Sequence, residues 1–187
     1  MRIEHTRKAL QFLLICMAVI LPVSAQTDAA RANIFMTGHS HIDPVWRWNK
    51  QEGFQEVFAS FRSVLDRMNE NPEVTYVSSS AQFYEWVETN DARMFEEIRQ
   101  RVREGRWNIV GGWWIEPDLN CPSGESLVRQ GLYGQRYFLE KFGRPARVGF
   151  NPDSFGHPHT LPQILLGQDL TSYFFMRPGQ HEMADIK

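Results

Sequence analysis

His39, His41 and Asp43 recur at every second position in Gly38-His39-Ser40-His41-Ile42-Asp43-Pro44. Side chains alternate faces along an extended chain, so this spacing predicts two imidazoles and a carboxylate on one side. Nitrogen and oxygen donors in that combination make a partial site for a divalent metal. Histidines that merely hydrogen-bond inside a packed core would show the same spacing, and the pattern alone leaves both readings open. Trp46 and Trp48 follow, an aromatic platform for a sugar ring or another apolar face. Further carboxylates and a histidine stand where later strands should end: Glu116, Asp118, Asp153 and His157.

The elements that position these residues are read from periodicity. Ile34-Phe35-Met36 is the expected buried start of a first strand. Pro44 cannot donate a ladder bond and biases Asp43 away from helical angles, so the strand should stop there. Helical spacing of Phe54, Val57, Phe58, Phe61, Val64, Leu65 and Met68 predicts a helix over 53–68. Val74 to Ser78 reads as a second strand, Gln82 to Val87 as a helix-like stretch, and Met94 to Glu104 as an amphipathic helix stopped by Gly105. Trp107 to Val110 is a third strand. A long helix is expected from Gly124 or Glu125 to Phe142, with Ser123 as cap and Gly143-Arg144-Pro145 as stop. Val148 to Phe150, a brief helix around 161–166 and a strand over 171–176 complete the series.

This alternation predicts an α/β chain, the N-terminal portion of an irregular parallel (β/α) barrel of about five strands. Right-handed crossovers would bring every strand end, and so every candidate residue, to one rim. Five strands do not close a barrel of ~250 residues, so the domain is expected to be incomplete. Tyr173, Phe174, Phe175 and Met176 would then lie at or near an open sheet edge.

Composition narrows the partners. Arg2, Arg7 and Lys8 precede an apolar run from Ala9 to Val23, and Val23-Ser24-Ala25 supplies small residues, the pattern of a secretory signal peptide cleaved after Ala25. The run is shorter than the ~20 residues of a membrane anchor. The expectation is export to the periplasm or the extracellular space, with no stable membrane association after cleavage. Residues 26–187 keep one cysteine, Cys121, so no intrachain disulfide can form. A formal net charge of -2 without a basic cluster argues against nucleic acid.

Gly38-His39-Ser40-His41-Ile42-Asp43-Pro44-Val45-Trp46 resembles the zinc motif that opens the catalytic domain of glycoside hydrolase family 38, the α-mannosidases. Phe150-Asn151-Pro152-Asp153-Ser154-Phe155-Gly156-His157 resembles that family's nucleophile segment, with Leu161-Pro162-Gln163-Ile164 after it. Gly111-Gly112-Trp113 and the stretch from Pro122 to Gln130 are similar to its third-strand region. The matches stand in the family's order over most of residues 26–187, a partial catalytic domain.

The resemblance implies one zinc ion per site, held by His41, Asp43 and Asp153. It implies Asp153 as the nucleophile of a retaining hydrolase, Trp46 stacked on the mannose and Phe155 lining its pocket. His39 would support the ligands without joining them, and His157 fits a structural hydrogen bond at least as well as a site role. The substrate implied is a terminal α-mannoside of a mannose-containing oligosaccharide. The family's general acid and a further zinc histidine have no matching position in this chain, so activity of these residues alone is expected to be negligible. Glu116 and Asp118 read more simply as partners of solvent, substrate hydroxyls or helix ends than as that acid. Two other readings stand beside the mannosidase: a metal-dependent carbohydrate deacetylase, and a non-catalytic or vestigial sugar-binding fragment.

Overall fold

In the computed structural model the described residues are 33–179, and those from Met36 onward form one compact unit. The signal peptide expected over 1–25 lies outside them. Strand β1 (Gly38–His39) leads to helix α1 (Lys50–Glu70), then β2 (Tyr76–Ser78), α2 (Ala81–Asn90) and α3 (Ala92–Arg103). Strand β3 (Trp107–Ile109), α4 (Gly124–Phe142), β4 (Val148–Asn151), α5 (Leu161–Gly167) and β5 (Ser172–Phe175) complete the order.

The first strand is shorter than its sequence suggests. Ile34, Phe35 and Met36 are exposed rather than buried, and the ladder holds only Gly38 and His39, opposite Tyr76 and Val77 of β2. The chain therefore leaves the sheet well before Pro44, and the alternation that should carry His39, His41 and Asp43 to one side stops at His39.

Helix α1 begins earlier than the apolar spacing implies, because Asn49 and Glu52 form a reciprocal capping box. The Asn49 side chain accepts from the N–H groups of Gln51 and Glu52, and Glu52 accepts from the Asn49 N–H at 2.8 Å. Val57, Phe61, Leu65 and Met68 then form its buried stripe. Helix α4 follows its expected cap and stop: Ser123 accepts from the Ser126 N–H, and Gly143 closes it in the left-handed region. Helix α3 starts earlier than its apolar spacing, because Asp91 caps it by accepting from the Met94 N–H.

The core is an aromatic nest under the strands. Phe61, Tyr76, Tyr84, Trp107 and Phe138 meet largely edge to face, and Trp107 is fully buried. The Trp107 indole N–H donates to the Tyr84 hydroxyl at 2.9 Å, which donates to the Ser78 carbonyl at 3.1 Å. Both polar atoms are thus satisfied in a place where an unpaired one would cost about 1–3 kcal/mol. Burial pushes the Tyr84 phenol well above its ordinary pKa.

All strand pairs are parallel, yet they fall into two sheets, β1-β2-β3 and β4-β5, instead of one five-stranded layer. The break has a backbone cause. Gly111 and Gly112 take φ values of 84° and 77°, which no strand tolerates, so β3 ends as it reaches β4. One bond, from the Gly111 N–H to the Val148 carbonyl at 2.7 Å, spans the two sheets. On the outer strand, Phe174, Phe175 and Met176 are exposed, in keeping with an open edge.

One close approach ties this frame to the candidate residues. A Cβ placed on Gly53, in the first turn of α1, would stand 2.2 Å from the Pro44 carbonyl oxygen. The segment from His41 to Pro44 is therefore seated on a helix that admits only glycine there. Gly53→Ala is expected to destabilise the fold by about 1–3 kcal/mol, the range for forced overpacking. Gly124→Ala, which meets nothing within 4 Å, should stay within about 0.5 kcal/mol. Denaturant unfolding of the two variants checks the contrast.

Candidate metal centre

His41 and Asp43 arrive on the irregular chain between β1 and α1, and Asp153 on the turn after β4. One donor atom from each lies within 4.8 Å of the others, the arrangement that could hold a metal ion. Nε2 of His41 is 3.4 Å from Asp43 Oδ1 and 3.6 Å from Asp153 Oδ2. Donors bonded at ~2.0–2.2 Å to one tetrahedral ion stand ~3.3–3.6 Å apart, so these two separations fit a divalent ion of the zinc type. The donor set is one imidazole and two carboxylates, which also suits it.

His39 is elsewhere. Its Nδ1–H donates to the Val77 carbonyl at 3.1 Å, and its ring sits edge-on to Phe150 at 4.7 Å. Burial lowers its pKa below the ordinary imidazole value, against the opposing pull of the Val77 bond. It braces the strand end and gives no ligand atom to the cluster.

Glu116 lies on the other flank of His41. Its Oε2 is 3.5 Å from Nδ1 of the imidazole, while its Oε1 accepts from the backbone N–H of Asp153 at 3.2 Å. The pKa of His41 is raised, first by hydrogen bonding to Glu116 and further by the charges of Glu116, Asp43 and Asp153, in opposition to its partial burial. Asp118 borders the same recess but turns to its own loop, accepting from the Asn120 N–H and the Cys121 thiol.

Loop hydrogen bonds place these groups. Asn151 accepts from the Trp113 indole at 2.7 Å and donates to the Pro117 carbonyl, binding the end of β4 to the loop that carries Glu116. Ser154 Oγ accepts from the Leu119 N–H at 3.2 Å on the same loop. Arg177 donates to Asp153 Oδ1 at 2.8 Å and lays its guanidinium 4.3 Å from the centre of the Phe155 ring. His157 serves this arm: its Nε2–H donates to the Arg177 carbonyl at 2.7 Å and its Nδ1 accepts from the Tyr173 hydroxyl at 3.0 Å.

Two openings reach the cluster. A recess of about 110 Å³ is bordered by His41, Asp43, Glu116, Asp118, Asp153 and Phe155. A wider cleft of about 510 Å³ runs from His41 and Asp43 along α1, past Trp48, Glu52 and Glu56. Trp48 donates its indole N–H to the Asp43 carbonyl at 3.0 Å. Trp46 is 62% exposed and meets Trp48 edge to face, and Phe155 is 61% exposed. Arg177 and the bridging role of Glu116 escape a reading of the sequence, although Glu116 stood out there as a carboxylate just beyond the third strand. Trp48, read as part of an aromatic platform, fastens the Asp43 carbonyl.

Comparison with known proteins identifies the family. Residues 31–185 match the family described as Glycosyl hydrolases family 38 N-terminal domain. The chain is 40% identical over 134 residues to Alpha-mannosidase 2C1 of Homo sapiens and 36% identical over 142 residues to Alpha-mannosidase G of Dictyostelium discoideum. These alignments cover 72% and 76% of this chain but only 13% of either relative, so the chain spans a small part of their length. Among solved structures, an alpha-mannosidase from Enterococcus faecalis V583 superposes with a TM-score of 0.67 at 26% identity, over 74% of this chain and 16% of that one. The chain belongs to glycosyl hydrolase family 38, through that family's N-terminal domain.

Proposed function

We propose that this chain carries part of the catalytic site of a zinc-dependent, retaining α-mannosidase acting on terminal α-mannosides of glycans. The observation that supports this most is the meeting of Asp153 with His41 and Asp43, residues far apart in sequence, at separations suited to one ion. His41 Nε2, Asp43 and Asp153 would hold the zinc, which when bound would orient vicinal sugar hydroxyls and favour the charged transition state. Residues 26–187 are then part of a catalytic (β/α) barrel, and residues 1–25 its secretory leader. Among the described residues no helix is long and apolar enough to cross a membrane.

The chain's own groups suit the remaining roles. Arg177 fixes one oxygen of Asp153, leaving Oδ2 on the side of His41. In a retaining reaction that carboxylate attacks the anomeric carbon as the bond to the leaving oxygen breaks, and water later releases the sugar from the ester. A second carboxyl must protonate the leaving oxygen. Glu116 is engaged by His41 and the Asp153 N–H, and Asp118 by its own loop, so we assign the acid to neither. Phe155 borders the recess, and Trp46, exposed in the segment just after Asp43, would offer a further ring to a pyranose.

Zinc should bind the full chain, read by competition with a chromogenic chelator, and Asp153→Asn or His41→Asn should weaken binding by at least ~100-fold. Asp118→Asn should leave it unchanged. A histidine ligates only when neutral, so affinity should fall as pH drops through the raised pKa of His41. Without metal the sign reverses. The raised folded-state pKa contributes stability that is full below ~6.5 and is lost as pH rises through the folded value. His41→Asn should remove that slope from unfolding curves.

The activity itself is tested on an aryl α-mannoside with the complete gene product that carries these residues. Asp153→Asn should lower turnover by ~10³-fold or more, as loss of a nucleophile does. A fluorinated mannoside that deglycosylates slowly should label Asp153, located by peptide mass. Acetate released from acetylated glycans, with no mannoside cleavage, would replace this proposal with a deacetylase. Trp46→Ala should reduce kcat/KM while leaving the unfolding midpoint in place; a lowered midpoint with normal activity per folded molecule would make Trp46 a packing residue.

A further inference from the structure

We propose that His157 is a positioning residue for Asp153: it holds the backbone of Arg177, and through it the guanidinium that fixes one oxygen of that carboxylate. The inference rests on the reading of Asp153 as nucleophile. Asp153, Phe155 and His157 stand at alternate positions of the turn after β4, and all three grip one arginine. Arg177 donates to Asp153 Oδ1 at 2.8 Å and lies 4.3 Å from the centre of the Phe155 ring. Its carbonyl accepts from His157 Nε2–H at 2.7 Å. Arg177 follows β5 by two residues, beyond the last ladder pair of Asn151 with Phe175. A long side chain with many rotamers delivers its head to one oxygen most exactly when its backbone is held as well.

An imidazole suits this task because its two nitrogens can play opposite parts. A carbonyl only accepts, so Nε2 must carry the hydrogen, and in the neutral ring Nδ1 keeps a lone pair. The Tyr173 hydroxyl donates to that lone pair at 3.0 Å. Burial first, and the charge of Glu116 second, raise the Tyr173 phenol above its ordinary pKa, so it remains a donor. The ring of His157 is wedged edge-on against Phe175 at 4.8 Å and Tyr173 at 5.6 Å. Tyr173 sits in β5 opposite Gly149 of β4, where an added Cβ would stand 2.9 Å from its ring. The contacts therefore run without a gap from the β4-β5 ladder through Tyr173, His157 and Arg177 to Asp153.

Two substitutions separate the bonds of the ring. His157→Gln places an amide N–H where Nε2–H reaches Arg177, and His157→Asn places an acceptor near Nδ1 without reaching that carbonyl. In the full chain, the Arg177 guanidinium N–H groups held by Asp153 should give resolved ¹H–¹⁵N resonances that persist in His157→Gln and average away in His157→Asn. In the complete gene product acting on an aryl α-mannoside, His157→Asn should lower kcat and kcat/KM together by about 10–100-fold, the scale on which a misplaced reacting group slows a reaction. His157→Gln should recover most of that loss. In an Arg177→Ala background His157→Asn should add no further loss, because its effect passes through the missing guanidinium. Additive losses, or equal losses in the Gln and Asn variants, would make His157 a packing residue and overturn the proposal, as would unchanged Arg177 resonances in His157→Asn. Should the asparagine variant not fold, His157→Phe, which keeps the aromatic contacts, takes its place with the same expectations. If the unsubstituted gene product cleaved no mannoside while the Arg177 resonances responded as expected, the mannosidase reading would fail and the linkage from His157 through Arg177 to Asp153 would stand.

Discussion

Three carboxylates crowd one imidazole here, and like charges at such range repel. At an effective dielectric of 20, two unit charges about 4 Å apart interact by about 4 kcal/mol; His41 stands among Asp43, Glu116 and Asp153, and Arg177 on the far oxygen of Asp153, to offset that repulsion. A proton on the ring, or a divalent ion on its Nε2 side, supplies the missing positive charge. The raised pKa of His41 is the same fact seen from the ring: the carboxylates draw a cation to this point. A cluster of this kind does not assemble because its members attract one another. It exists because the backbone beneath it leaves no alternative.

That backbone is pinned by bonds that belong to no helix or sheet ladder. The Asp43 segment is seated on the first turn of α1 through the bare Cα of Gly53, and Trp48 holds its carbonyl. Asp153 is held by Glu116 through its N–H and by Arg177 through Oδ1. The loop between β3 and α4 is fastened at both ends of its path, to Ser80 and the start of α2 and to Asn151 and Ser154 beyond β4. The two parallel sheets, which share a single backbone bond, are thereby joined at the rim where the acids lie. Order at the site and continuity of the fold depend on the same few polar contacts.

This division explains what the sequence disclosed. Helix α4, most of α3 and the succession of strands and helices along the chain were legible because caps, stops and apolar spacing are local signals, whereas the split into two sheets was not. The start of α1 was missed because Asn49 and Glu52 look like loop residues until their reciprocal bonds are seen. His41, Asp43 and Asp153 could be gathered from motif resemblance, and the geometry brings them together. The alternation that nominated His39 failed because β1 ends there. Nothing local marks Arg177 as the partner of Asp153, or Ser80 as the support of Glu116. Both act through long-range contacts whose geometry only the folded chain defines.

Aromatic residues divide along the same line. Trp107, Trp113 and Tyr84 are fully buried with their polar atoms bonded, as large rings are when a core needs them. Trp46 and Phe155 are mostly exposed, one in the segment after Asp43 and the other two residues beyond Asp153. Isolated exposed apolar side chains are ordinary on any surface. Phe155 differs in its setting, because it borders the recess of the acids with the Arg177 guanidinium 4.3 Å from its ring centre. A pyranose has apolar faces of C–H groups and a rim of hydroxyls. Under the proposed function, an exposed ring next to fixed carboxylates would match both parts of such a ligand, and charge alone would match only one.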